Sequence, residues 1–578
     1  MPILNTISTL ESLSLKKVNT CLYQNAFSYF VINIKLPLKK SIESDDYFCW
    51  SFCETKCEEF RRLLTKILPP RFHNSLLSYV ISVLSKSFDF IKSNLLVNDV
   101  ELTLDLFKNF LCLMMRCFIT FSTTEIDLTS ICHSLRIFIN ENKDIFLCNE
   151  KHEYEVLPED FFTYCLNGST KEMKNLKYLK VPHFVSNMLL CFIGLNCNDL
   201  ESLILRCNND CRIAKPPPLK PYSIPVLYSV ATNEFESNID IKGCPLLKVL
   251  YLPDESEHLA DICEMACNIF IFMKDIEDLV GVPMAYVLEY IYENYIAESE
   301  VPSEENDSLF VNPSFESKLK HFHHGFYREN TWADFAYDQE AEFISPYFNL
   351  CSHLFPKINK ISLYAPLFVV DEALQAFLNP SEITLFIDET FIEHSKKFNN
   401  FVYIDINVSY EEEWPILLTL SSSCMLLEHL VFRSFALEFS GSNETSIYFP
   451  CLKHLSCIGQ QGPVSALPSV ISGSPNLTSI SLIFGMDESG DSPLTDQEII
   501  NIATCGSKLE SFKFKLYSHF DIDIKSLSKV SEKSIMSLID NCPNLKTFGY
   551  MSLWNINETV RESIERMIKN HNWDLELL

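Results

Sequence analysis

Glycine is scarce in this chain, with 13 residues in 578. Phosphate cradles and nucleophile elbows are built on closely spaced glycines, and no phosphate-binding glycine loop, Gly-x-Ser-x-Gly turn or His-Glu-x-x-His helix occurs. An enzyme is therefore not the expected class. Positive charge is also short, with 47 Lys and Arg against 76 Asp and Glu and a formal net charge of −29. Phosphate backbones need a concentrated cationic face, which excludes nucleic acid as an expected partner and leaves a basic or neutral protein as the better fit. Long apolar runs are missing too. The longest, Phe110 to Phe121, contains Arg116 and is too short to span a bilayer, so no membrane partner is expected. Met1 to Val31 lacks the basic, apolar and small-residue succession of a secretory signal. The 22 cysteines accordingly read as reduced thiols of a cytoplasmic or nuclear, non-secreted chain.

What the chain does have is a recurring Leu-x-x-Leu-x-Leu segment. Clear copies are Leu427/Leu430/Phe432, Leu452/Leu455/Cys457, Leu477/Ile480/Leu482, Leu509/Phe512/Phe514 and Leu545/Phe548/Tyr550, several with Cys-Pro or Ser-Pro just upstream. Weaker copies are Leu176/Leu179/Val181, Leu200/Leu203/Leu205, Leu247/Leu250/Leu252 and Ile358/Ile361/Leu363, and Glu125 to Leu128 fits the same form. Periods near 25 residues mark stacked units that bury a shared core. The cysteine ahead of the strand resembles the cysteine-containing class of leucine-rich repeats. The expected fold is α/β, a leucine-rich-repeat solenoid with a curved parallel sheet and convex helices, preceded by a mainly helical amino-terminal region.

The expected division is an adaptor-docking helical region at 1–80, a helical region or divergent repeats at 81–165, repeats at 166–255, a helical and acidic flexible insertion at 256–350, and repeats with a capping helix at 351–578. Asp261 to Ala297 reads as one long helix broken near Gly281 and Pro283, and Glu298 to Ser308 as an acidic loop. Glu558 to Lys569 places Val560, Ile564 and Ile568 on one face and is the expected cap.

Cys49, Cys53 and Cys57 recur every fourth residue, as do the pairs Cys207/Cys211 and Cys263/Cys267. That spacing lines a helix face, and the short Cys-x-x-Cys loops of zinc sites are absent, so an apolar face is expected and no metal or cofactor. His321, His323 and His324 read as solvated linker. Thr495 and Glu498 form a capping box.

The amino-terminal region carries the sharpest functional signal. Leu10, Ser14 and Val18 fall along one helix face, and Leu68, Pro69, Phe72 and Leu76 follow the pattern of an apolar residue, proline and two further apolar positions. The first resembles a BC box and the second a cullin box. With repeats behind them, they resemble the VHL-box substrate receptors of cullin-type ubiquitin ligases, the Zyg-eleven family especially. The resemblance implies docking to Elongin B and C through Leu10, Ser14 and Val18, and to cullin through Leu68, Pro69, Phe72 and Leu76. Ser14 stands where that box has Cys. Leu10 to Leu15 also satisfies the repeat pattern, and Leu68-Pro69 before an apolar helix also fits an F-box that binds a Skp-type adaptor. A repeat scaffold without a ligase is the third reading.

Strand alternation turns the residues flanking each inward leucine outward. His429, Arg433, His454, Ser479, Ser481, Lys513 and Lys515 are thus the candidate contacts for a protein target. The expected function is a non-catalytic substrate receptor that raises the local concentration of a target near a ubiquitin-charged enzyme.

Overall fold

The computed structural model describes residues 47–86, 100–141, 161–182, 187–205, 243–252, 259–282, 284–296, 318–323, 347–363, 367–377, 380–387, 399–408, 413–436, 447–461, 467–485, 494–517, 529–549, 556–570 and 575–577. They form two compact units. One holds the described residues from 47 to 323 together with 353–357, and the other holds 347–352 and the described residues from 358 onward.

The first unit opens with helices α1 (Tyr47–Ile67), α2 (His73–Lys86) and α3 (Val100–Phe118). Strands β1 (Glu125–Asp127), β2 (Tyr178–Lys180), β3 (Ser202–Ile204), β4 (Val249–Tyr251) and β5 (Asp278–Val280) follow, paired in sequence order and parallel throughout. Strand β6 (His321–His323) comes after them, its preceding Lys320 amide donating to the Glu277 carbonyl at 2.7 Å. In the second unit β7 (Lys360–Leu363), β8 (Glu382–Ile387), β9 (Tyr403–Val408), β10 (His429–Ala436), β11 (His454–Gln461), β12 (Ser479–Gly485), β13 (Ser511–Tyr517), β14 (Thr547–Gly549) and β15 (Glu576–Leu577) again pair in sequence order, all parallel. The chain is thus α/β with parallel sheets.

Register follows from burial. Ile126, Leu179, Leu203, Leu250 and Leu279 face one another across β1 to β5, none more than 3% exposed. Ile404, Leu430, Leu455, Ile480, Phe512 and Phe548 make the equivalent row across β9 to β14 and are equally buried. A slip of one residue would turn these rows to water, so each apolar row fixes its strand.

The passage from helix to strand is built the same way in unit after unit. The amides of Leu200, Leu247, Leu427 and Leu545 donate to the carbonyls of Cys197, Cys244, Cys424 and Cys542 at 3.2, 3.1, 3.2 and 3.1 Å. The amides of Cys197, Cys424 and Cys542 in turn receive a helical partner in Ile193, Leu420 and Leu538 at 2.8, 2.7 and 2.9 Å. Each such cysteine is fully or almost fully buried, and burial pushes the Cys424 and Cys542 thiols up to about 12. These are small apolar wedges, not reactive groups. Met273, Ser474 and Gly506 occupy the same place in other units.

A second regularity lies at the strand entrances, at the residue after the leading apolar one. There Lys177, Glu201, Lys248, Glu277 and Lys320 alternate in sign through successive units. Glu201 is held by Lys177 at 2.9 Å and Lys248 at 2.8 Å, and Lys320 meets Glu277 at 2.7 Å. The Lys248 and Lys177 ammonium groups hold the Glu201 carboxyl down at about 2. In the second unit Glu428 pairs with Lys453 and Glu510 with Lys546, both at 2.7 Å. Exposed pairs stabilise little one by one, but a strand in the wrong place would bring like charges together.

Three expectations are corrected. Residues 261 to 297 are not one long broken helix: the helix Leu259–Phe272 ends at Met273, β5 follows, and a second helix runs Met284–Ile291. Ile276 and Leu279, both buried, are the repeat anchors that the helical reading absorbed. The acidic stretch Glu298 to Ser308 lies outside the described residues. The histidine segment is not solvated linker, because His321 is 7% exposed, Phe322 is fully buried and His321 Nδ1 lies 2.9 Å from Asp278 Oδ1. At the carboxy terminus the helix Glu558–Asn570 buries Ile564 as expected, yet it is not the last element, since β15 follows it and pairs with β14.

Gly281 closes β5 with φ of 91°. A Cβ there would overlap the Leu252 carbonyl and meet a conformation that L residues avoid. Gly281→Ala is expected to cost about 1–3 kcal/mol in urea unfolding, the usual scale of left-handed strain and overlap; an unchanged midpoint would refute this role.

Candidate recognition surface

Two regions carry the residues singled out by sequence. The first is the amino-terminal helical segment. Leu10, Ser14 and Val18 lie outside the described residues. Leu68, Pro69, Phe72 and Leu76 are brought together, but not as one exposed motif. Pro69 precedes a short turn of 3₁₀ helix, Pro70–Phe72, that leads into α2. Leu68 is 6% and Leu76 1% exposed, so these two side chains are core and cannot meet a partner while the helices stay folded. Of the residues whose period suggested docking, Leu76 lies on the inner stripe of α2 and Leu68 in the core ahead of it, while Phe72 in the turn between them is half-buried.

Polar contacts fasten this segment to the start of the sheet. His73 is buried, with Nδ1 at 2.8 Å from Thr120 Oγ1 and Nε2 at 3.0 Å from the Leu68 carbonyl. Asn74 donates to Thr124 Oγ1 at 2.6 Å and accepts the Thr124 amide at 2.9 Å, one residue before β1. Helix α2 therefore lies on the edge strand. A first parallel strand with nothing beside it would expose its core, and this helix covers it. Farther back, Arg61 pairs with Glu172 at 2.9 Å and Arg116 with Glu54 at 2.7 Å. The exposed apolar side chains of residues 61–70 are Leu63 and Ile67 on α1, with Pro69 and Pro70 beyond.

The second region is the outward face of β9 to β13. His429, Arg433, His454, Ser479, Ser481, Lys513 and Lys515 are all at least partly exposed, as alternation requires. Register aligns Tyr403, His429, His454 and Ser479 in one row, and Asp405, Val431, Ser456, Ser481 and Lys513 in the next. The His429 and His454 rings stack 4.4 Å apart at 11°, and the Tyr403 ring lies 6.1 Å from His429. Burial first, then the neighbouring His429 and Lys453, holds the His454 imidazole below its ordinary range. Arg433 is not an independent contact: its Nε and Nη2 donate to the two carboxylate oxygens of Asp405 at 2.9 and 3.0 Å. Asp405 was missed in the sequence because a carboxylate at an outward position looks like any solvated residue, yet it is only 6% exposed.

Among the described residues no group of three or more His, Cys, Asp and Glu side chains is placed to hold a metal ion. Cys53, Cys57, Cys263 and Cys267 are buried, whereas Cys207 and Cys211 lie outside the described residues. Among the described residues no helix is long and apolar enough to cross a membrane. No protein-family model matches the sequence, and no curated protein matches it either.

Burial holds the His73 imidazole below its ordinary value despite the Leu68 carbonyl beside it. A lowered folded value means stability present above pH about 6.5, the unfolded reference, and lost as pH falls toward the folded value. Thermal melts at pH 7.5 and 5.5 should show a larger loss for the native chain than for His73→Gln. Equal losses would place the acid sensitivity elsewhere.

Proposed function

We propose that this chain is a non-catalytic protein-recognition module, a leucine-rich-repeat solenoid whose outward strand face holds a segment of a partner protein. The observation that carries this reading is the run of parallel strands in strict sequence order, with β2 to β5 and β10 to β14 entered through the same buried turn, which presents side chains from many units on one face. Helix α2 acts in it as the amino-terminal cap. A photo-reactive residue at Ser481, on the outward face, should give protein adducts in cells. The same residue at Thr504, exposed on the helix Asp496–Cys505, should give none. Equal adducts from both positions would overturn the reading.

A second reading makes the module the substrate receptor of a cullin-type ubiquitin ligase. The exposed apolar group Leu63, Ile67, Pro69 and Pro70 favours it, because large apolar side chains open to solvent mark contact sites. The adaptor would touch these residues and not Leu68 or Leu76. Co-expression with Elongin B and C, with a Skp-type adaptor in parallel, should give a complex on size exclusion that Ile67→Asp abolishes without lowering the melting temperature. Elution with neither adaptor would leave the recognition module without a ligase; elution with the Skp-type adaptor would move the chain to the F-box class.

A further inference from the structure

The outward face of β10 to β14 has the opposite charge character from the chain that carries it. Acidic residues outnumber basic ones by 76 to 47 over the whole sequence. Yet among the described outward side chains of these five strands there is no carboxylate, while His429, Arg433, His454, Lys513 and Lys515 are all there. The edge carboxylates Glu428 and Glu510 are each taken by a lysine of a following strand, and Asp405 on β9 is taken by Arg433. Between the imidazole pair and the lysines lie Val431, Ser456, Ile458, Ser481 and Ile483, all half-buried and none charged.

Resting on the reading of this face as a recognition surface, we propose that it takes an extended acidic peptide, with carboxylates set against Lys513 on one side and the His429–His454 pair on the other. An acidic segment departs from the basic or neutral partner expected from net charge alone. Strands β11 and β13 stand about 10 Å apart at the usual inter-strand spacing, and a peptide in the extended polyproline II form rises about 3.1 Å per residue with three residues per turn, so carboxylates three residues apart share one face and reach both groups. A nucleic acid strand is disfavoured, since its unbroken row of phosphates would meet few cations here and a strongly anionic protein around them.

His454 gives the interaction a pH dependence. The charged and titratable groups around it are Tyr403 and Asp405 from β9, Glu428 and Arg433 beside His429, Lys453 beside His454, and Lys513 two strands on; the β12 residues Ser479 and Ser481 contribute none. Burial, the stacked His429 ring and Lys453 oppose a positive charge on His454. A peptide carboxylate laid over His454 favours its protonated form, so binding takes up a proton and tightens as pH falls from 7.5 to 6.0.

The test uses the full chain and fluorescence anisotropy with three labelled probes: a (Glu-Gly-Gly)4 peptide, a (Lys-Gly-Gly)4 peptide and a twelve-nucleotide oligothymidine. The glutamate peptide should bind and the lysine peptide should not. Lys513→Glu should weaken binding by about tenfold or more, the scale on which a reversed contact charge acts. His454→Ala should flatten the pH dependence. Melting curves check the variants, and Lys513→Gln replaces the charge reversal if that one fails to fold. The proposal is overturned by absent glutamate-peptide binding, by binding indifferent to the Lys513 variants, or by tighter binding of the oligonucleotide. Adducts from Ser481 alongside absent peptide binding would mean that the surface is right and its proposed chemistry wrong, which keeps the two failures apart.

Discussion

The amide of the leading apolar residue ahead of β2 to β5 and of β10 to β14, bonded back to a carbonyl three residues earlier, is the contact on which the rest of the architecture depends. A three-residue strand such as β3 or β4 cannot bury its own apolar side chains or satisfy its own backbone. It is useful only if the helix before it ends at a fixed place and the chain leaves in a fixed direction. The buried residue in the turn achieves both: its amide completes the helix and its carbonyl starts the strand. A thiol suits the position because it is compact, apolar and, once buried, keeps its proton.

Two further constraints then set which strand lies beside which. The inward rows decide register within a pair, because a one-residue slip would expose every anchor. They do not choose the order of strands, since Leu203 would pack against almost any leucine. The alternating charges at the strand entrances supply that missing information. Lys177, Glu201, Lys248, Glu277 and Lys320 match when neighbours in sequence are neighbours in space, and exchanging two adjacent strands sets like charges side by side. Their stabilising effect is small at each exposed pair, and their value lies in what they disfavour.

Much of the ladder could be read from sequence, because anchors such as Leu427/Leu430/Phe432 and Leu545/Phe548 combine a spacing of three and two with a turn residue upstream. Ile276 and Leu279 were hidden by flanking apolar helices that made one continuous helical period look plausible, although the charge alternation through Glu277 would have revealed the unit. Leu68 and Leu76 illustrate a different limit. A motif of apolar residues at helical spacing specifies a face, but spacing does not say whether that face meets a partner or the chain's own core. Here His73, Asn74 and Thr124 decide it, and contacts between residues roughly fifty positions apart leave no mark on local pattern.

The same distinction between average and local governs recognition. A net charge of −29 describes the potential felt far from the molecule, which screening attenuates within about 10 Å at moderate salt. A bound segment feels the side chains it touches. Among the described residues across β10 to β13 those are imidazoles, amines, hydroxyls and aliphatic groups, while the carboxylates of Asp405, Glu428 and Glu510 are bonded to Arg433, Lys453 and Lys546. An anionic body with a locally cationic strip repels most acidic molecules at a distance and retains only those whose shape brings carboxylates to that strip. Selectivity then comes from geometry, because the long-range field opposes the very ligand that the short-range contacts favour.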